Sequence, residues 1–563
     1  VEAVRQRDEG RAQRPAPDGL DGERSHGRAL YHFAHTKEAL VPFTRKEFLD
    51  LSARGALGTL AAASAFDLLG PGAAEARDAA ASAEVRKVND YIAAHKEEHL
   101  AAVQRDLRQP SVSSWDKGVK EMAQLMMDSF KKLGCKEVQL VPTSKPQWPG
   151  VLAHYDVGAP RTVVMYMMFD TQPYVEERWS SPPLEARRVK NFAGFPEAIV
   201  ARGAVNSKGP NRYVLNALES IVAVHGKLPV NVIFTCDGAE EQGSPNFEEV
   251  LDPWRDRLAK ASCLMSLDPA QEADGRIAMT LGNKGIMYVE LEAHGARWGR
   301  GPQKMPIHSS RKAVLDSPVW RLVSALRTLY DPEKNEILIA GFKDDIRPPN
   351  PEELELLRVL TTRHRDALFA SEKENSKAFM NGWSIEEAAH HLTFDTTLNI
   401  DGLWAGYTGP GVATILPEKA AVKIDARLVP NQEVRKQVAK VKAHLESHGY
   451  PDISVTMLGG GDEWSQTSVT APVVQATLAM YKQHGIEPLV WPRSAGSSPE
   501  WEYTRKLGLP AGGGALGHGA RAHSDDEFIV TEGNGKVAGI VESEQSMVEM
   551  IYAYAAWPEA QKA

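Results

Sequence analysis

Apolar residues along the chain follow two periods. At 82–107 and 115–133 they recur at helical spacing, with Gly134 as the stop. Short apolar runs follow at 137–141, 150–154 and 162–169, then a helical stretch at 211–225 and a further run at 230–235. Short apolar strands alternating with helices predict an α/β fold, a mixed sheet flanked by helices. From 286 to 292 the pattern changes to alternation of apolar and polar residues, which suits a strand of a half-exposed sheet. A helix at 317–329, strands at 398–405 and 420–428, a helix at 433–448 and a strand at 453–458 complete a strand-helix-strand-strand-helix-strand series. That is the order of a ferredoxin-like α+β unit. The stretch 331–391 interrupts the series. Glu386, Glu387, His390 and His391 there could be called a metal cluster, but a solvated helix face is the favoured reading.

One run ends in unusual chemistry. Behind the apolar stretch 230–235 comes Asp237-Gly238-Ala239-Glu240-Glu241-Gln242-Gly243-Ser244-Pro245. Carboxylates at the end of a buried strand need a metal, a cation or a proton. Adjacent side chains there diverge, so one can hold a metal while its neighbour reaches water, as metal-assisted hydrolysis requires.

Three further segments accompany that pair in order: Met168-Phe169-Asp170-Thr171-Gln172-Pro173, Arg202-Gly203-Ala204-Val205-Asn206-Ser207-Lys208-Gly209, and Gly517-His518-Gly519-Ala520-Arg521-Ala522-His523-Ser524-Asp525-Asp526-Glu527. With Asp268 after the run 263–267, they resemble the co-catalytic zinc peptidases: carboxypeptidase G, carnosinase-type dipeptidases, aminoacylase and succinyl-diaminopimelate desuccinylase. The resemblance covers roughly 85–555 and rests on several motifs in register. It implies a zinc-peptidase-like catalytic domain in two parts, 81–283 and 461–563. A ferredoxin-like lid, 284–460, is inserted between them and implies a homodimer. It also implies metal ligands at Glu241, Asp268 and His523, a general base at Glu240 and an orienting carboxylate at Asp170.

Two positions depart from the family. Met168 stands where the resemblance calls for a His ligand, and Asn206 where it calls for an Asp bridging two zinc ions. A thioether is a poor zinc ligand beside oxygen donors. A neutral amide lacks the charge that holds two cations at ~3.5–4 Å. The expectation is therefore one Zn2+ held by Glu241, His523 and Asn206, with the second position weakened. Three protein ligands and a water suffice for hydrolysis. On the substrate side the resemblance assigns His308 to the oxyanion, and Arg427, Gly496 and Ser497 to the substrate's free carboxylate. A planar guanidinium suits that role. The implied reaction is hydrolysis of an amide beside a free carboxylate, in a small peptide or N-acyl amino acid. The alternative is a non-catalytic binder of such carboxylates on the same fold.

Composition narrows the partners. The 563 residues are 42% hydrophobic and 25% charged, ordinary for a globular chain of several domains. A net charge of -9 argues against nucleic acid. No stretch reaches the ~18 apolar residues of a membrane span. Cys135, Cys236 and Cys263 have no metal-ligand spacing and read as buried thiols. Residues 1–39 lack apolar periodicity and read as disordered. Arg45-Lys46, the mild apolar stretch 56–66 and Ala73-Ala74-Glu75-Ala76 form an export-signal pattern. It resembles a twin-arginine signal with Lys46 for the second Arg. The expectation is an exported protein, with 1–80 as tail and signal and Val41 as a candidate start.

Overall fold

The computed structural model describes residues 64–558, so the segment from Thr44 to Ala63 lies outside the described residues. A six-stranded sheet forms the centre. Its order is Glu137–Val141, Gly150–Tyr155, Asn231–Asp237, Thr162–Met168, Cys263–Pro269, Ala511–Ala515. The first two strands run antiparallel to their neighbours, and the last four are mutually parallel. The parallel strands read as unbroken apolar runs because both faces are covered. Val163, Met165, Val232 and Phe234 face a core shared with the helices Val119–Leu133, Lys208–His225 and Ile540–Ala555. Leu152, Val164, Ile233 and Leu264 face the opposite core, with Phe247, Trp254 and Tyr503.

A second sheet, all antiparallel, has the order Asn399–Ala405, Lys419–Leu428, Gly285–His294, Ser454–Met457. This is the ferredoxin-like arrangement. Gly285–His294 alternates buried and half-buried residues along its length, as its sequence predicts. The sheet has a core of its own, in which Met287, Val289, Val422 and Ile424 pack with Leu322 and Val441. Leu322 and Val441 come from the helices Pro318–Leu329 and Val434–Ser447.

Some boundaries differ from the sequence reading. The helix expected at 115–133 starts at Val119, because Asp116 and Gly118 adopt left-handed φ of 50° and 76°. The stretch 82–107 breaks at His95 into Ala83–Ala94 and Lys96–Arg108. A third sheet, Arg187–Phe192, Phe195–Val200, Phe528–Glu532 and Gly519–Ala520, was not anticipated. Its signal is the two-residue turn Ala193-Gly194, where both φ are positive. Ala73–Ala80 is a helix whose Ala73, Ala76 and Ala80 are buried, so the small residues of the export pattern belong to the packed body. All three cysteines are free and buried, as expected.

The interrupting stretch braces the rest. Its helix Pro351–Arg363 carries Glu353, which is 1% exposed. Glu353 accepts from Arg347 at 2.9 and 3.0 Å and from Gln466 at 2.9 Å, and it pairs with the buried Arg493. Removing one member of a buried ion pair strands the other. Glu353→Ala should therefore lower unfolding free energy by about 3–5 kcal/mol in denaturant titration. A loss under about 1 kcal/mol would show that the network is not a support.

Candidate active site

The four parallel strands end on one edge of the central sheet, where α/β proteins place their sites. Met168 and Asp170, Asp237 to Glu241, Asp268, and the loop from Gly517 to His523 all follow these ends. Asp237 shapes the first turn. Its carboxylate accepts from Ala239 N at 2.9 Å and from Ser244 Oγ at 2.7 Å. Gly238 has no room for a side chain, since a Cβ would stand 2.5 Å from the Pro149 carbonyl oxygen. The chain then makes a 3-10 turn, Glu240–Gln242. Asp170, fully buried, accepts from Glu240 N at 3.0 Å, Glu241 N at 3.2 Å and Ser113 Oγ at 2.6 Å. It therefore positions the acid pair through backbone amides. No His stands at 168 for it to orient, and Met168 is buried, 6% exposed.

Glu241 is drawn into a polar cluster. Asn206 Nδ2 donates to Glu241 Oε1 at 2.7 Å and to His523 Nε2 at 2.9 Å. His523 Nε2 lies 3.2 Å from Glu241 Oε2, and Gln172 Nε2 donates to that oxygen at 2.7 Å. Three of the expected ligands thus converge. A carboxylate, an imidazole and an amide whose oxygen can turn inward make a donor set that suits one divalent ion. Asp268 stands at the end of its own strand, Cys263–Pro269. Among the described residues it closes no three-residue ligand group with Glu241 and His523. It lines a cavity of about 180 Å3 with Ser266, Tyr481 and Glu500. Its side chain is open to that cavity, yet desolvation by the surrounding protein raises its pKa. His518 is buried against Phe195 and Phe528, with Nδ1 2.7 Å from the Gln271 carbonyl, and is a packing residue rather than a ligand.

Glu240 makes no side-chain hydrogen bond among the described residues. Burial, then the charges of Glu241, Asp237 and Asp462, pushes its pKa up to about 8. Burial likewise moves Asp237 to about 6. Asp462 leads to the substrate side. It accepts from Trp501 Nε1 at 3.1 Å and from Ser497, and Ser497 Oγ lies 3.2 Å from Arg427 Nη1. Arg427 and Ser497 therefore meet as expected. Gly496 donates its N–H to Ser494 Oγ at 2.9 Å in the same loop. His308 is not at this site. It is exposed and bonds Ser310 Oγ at 2.9 Å and Thr414 Oγ1 at 3.1 Å.

Glu527 closes the His523 segment, where the sequence assigns it no role. Its carboxylate, 0% exposed, accepts from Arg202 Nη1 at 2.8 Å and from the amides of Gly203, Val205 and Asn206 at 3.0, 2.9 and 2.8 Å. Nothing in the segment 517–527 sets Glu527 apart from Asp525 and Asp526, so its role shows only in the fold. Lys208 of the same motif is buried, donates to the Gln109 carbonyl at 2.6 Å and is lowered by burial to about 8.

A family model described as peptidase family M20/M25/M40 matches residues 166–543. The chain belongs to that family. The resemblance carried by the motifs, and the fold class it implies, are borne out. A Cys-Gly metallodipeptidase of Schizosaccharomyces pombe is 27% identical over 374 residues, 64% of this chain and 75% of that protein. The human Beta-Ala-His dipeptidase is 26% identical over 427 residues, 72% and 80% of the two chains. Among solved structures, an M20 family metallo-carboxypeptidase from Sulfolobus solfataricus aligns with a TM-score of 0.71 and 30% identity. That alignment covers 81% of this chain and 99% of that one.

The raised pKa of Glu240 has a stability consequence. Its folded pKa of about 8 exceeds the ordinary 4.5, so its contribution favours folding below pH 4.5 and is lost as pH rises through 8. In metal-free protein, Glu240→Gln should match wild type near pH 4.5 and exceed it at pH 9, by roughly 1 kcal/mol or more. Chemical denaturation at the two pH values checks this; a pH-independent difference would contradict it.

Proposed function

We propose that this chain is a metal-dependent dipeptidase that hydrolyses the amide beside a free carboxylate in dipeptides and similar N-acyl amino acids. The observation that carries the reading is the line of side chains from Glu241 and His523, past Glu240, to Arg427 and Ser497. It joins a metal-ligand pair, an unbonded carboxyl group and a guanidinium in one site. The Cys-Gly and Beta-Ala-His dipeptidases among its relatives support dipeptides as the substrate class. A binding protein would have no use for Glu240, a carboxyl group left without a hydrogen bond amid like charges.

Arg427 and Ser497 bind the substrate's carboxylate and so fix where the scissile amide lies. Glu241, His523 and the side-chain oxygen of Asn206 would hold a divalent ion, which would supply Lewis acidity to the amide carbonyl and to water. Glu240 takes the proton from the attacking water and returns it to the leaving amine. One ion serves this arrangement, because Met168 offers the second position only a thioether. His308 reaches a site only across a dimer. Support for such a dimer comes from the edge strand Asn399–Ala405, which exposes Ile400, Leu403 and Trp404, and from Trp320 on Pro318–Leu329.

Glu240→Gln should cut turnover on a dipeptide panel by about 10²–10⁴-fold with little change in KM. Arg427→Ala should raise KM for free-acid dipeptides and leave their C-terminal amides nearly unaffected. A Glu240→Gln enzyme as fast as wild type would overturn the mechanism. Met168→His with Asn206→Asp should add one tightly held zinc ion per chain relative to wild type in elemental analysis. An unchanged count would overturn the assignment of those two positions.

A further inference from the structure

The helix Ile385–Phe394 gathers a second set of metal-binding side chains. The four residues that cluster in its sequence separate in the fold. Glu386 pairs with Arg365, and Glu387 closes the capping box on Ser384. His390 and His391 turn instead toward Asp395, which caps the helix. One ligand atom from each of these three lies within 4.8 Å of the other two. Tetrahedral zinc with bonds of about 2.0–2.1 Å needs ligand atoms roughly 3.4 Å apart. Small side-chain rotations close that gap.

The surroundings suit a cation. His391 Nδ1 lies 2.6 Å from Asp395 Oδ2, and the ring is stacked on Trp383 at 3.8 Å. His390 is set edge-on against Phe394 at 5.1 Å. Burial lowers the pKa of His390, which keeps its imidazole in the neutral, ligating form. His391 is the only hydrogen-bond partner of the Asp395 carboxylate among the described residues. The three donors also sit at the carbonyl end of the helix, where the backbone dipole favours positive charge. A simple His–Asp pair four residues apart would need only His391.

We propose that His390, His391 and Asp395 form a divalent-cation site of the zinc class, separate from the Glu241–His523 pair. Its place gives it a task. The Asp395 carbonyl accepts from Lys284 Nζ at 2.5 Å. The next two residues are bonded to Arg427: Thr396 Oγ1 donates to the Arg427 carbonyl at 2.7 Å, and Thr397 Oγ1 accepts from Arg427 N at 3.0 Å. An ion here braces the inserted helix against the strand that carries the carboxylate clamp.

The test uses the full chain carrying Glu241→Gln, which weakens the active-site ligand pair. After loading with Zn2+ and gel filtration, this parent should retain about one ion per chain. Competition with a chromophoric chelator should show that added His390→Ala, or separately Asp395→Asn, weakens that ion by at least roughly 100-fold. With Co2+, the visible absorption of the parent should vanish in both variants. Circular dichroism reports whether each variant is folded. The proposal is overturned if the parent retains no ion, or if either folded variant keeps the parent's affinity and Co2+ spectrum.

Discussion

The candidate active site depends on the carboxylate of Glu527. It is fully buried and takes four donors, the Arg202 guanidinium and three consecutive-loop amides. Charge-assisted bonds of this kind are strong, and the buried carboxylate has no water to replace them. The bonds curl the loop from Gly203 to Asn206 around the carboxylate, and so aim the Asn206 side chain at Glu241 and His523. Asp170 does the same for the facing turn through the amides of Glu240 and Glu241. Two buried acids that touch no substrate thus set both halves of the metal pair.

The substrate side rests on a different support. Arg427 comes from the second sheet and Ser497 from the loop that follows Arg493, and each is held by residues outside its own strand or loop. Glu353, in the segment that interrupts the ferredoxin-like series, anchors Arg493 at the base of the Ser497 loop. Thr396 and Thr397 anchor the backbone of Arg427. Through Arg493 the interrupting segment acts on the clamp without contributing a side chain to it.

Much of this was legible in the sequence where the physics is local. Parallel strands buried on both faces declare themselves as apolar runs with acids behind them, so Asp170, Glu240 and Glu241 stand at or just after strand ends, while Asn206 and His523 were reached through the resemblance. Arg427 and Ser497 were found through resemblance and then met in space. What stayed hidden depends on distant pairing. Arg202 and Glu527 are separated by 325 positions, and neither residue type advertises the other. The third sheet joins strands from opposite ends of the chain. Asp268 and His308 match the family by sequence; Asp268 lines a cavity and His308 is exposed, settings that no motif reveals.

Asn206 has one more consequence. Its amide nitrogen carries two hydrogens and spends them on Glu241 and His523, the two groups that an ion would otherwise hold together. An aspartate in its place would set a second negative charge against Glu241, and a vacant centre would spring apart. Here the amide is a built-in understudy for the cation. In the absence of an ion the amide bridges the two ligands, and binding one would exchange these hydrogen bonds for metal bonds.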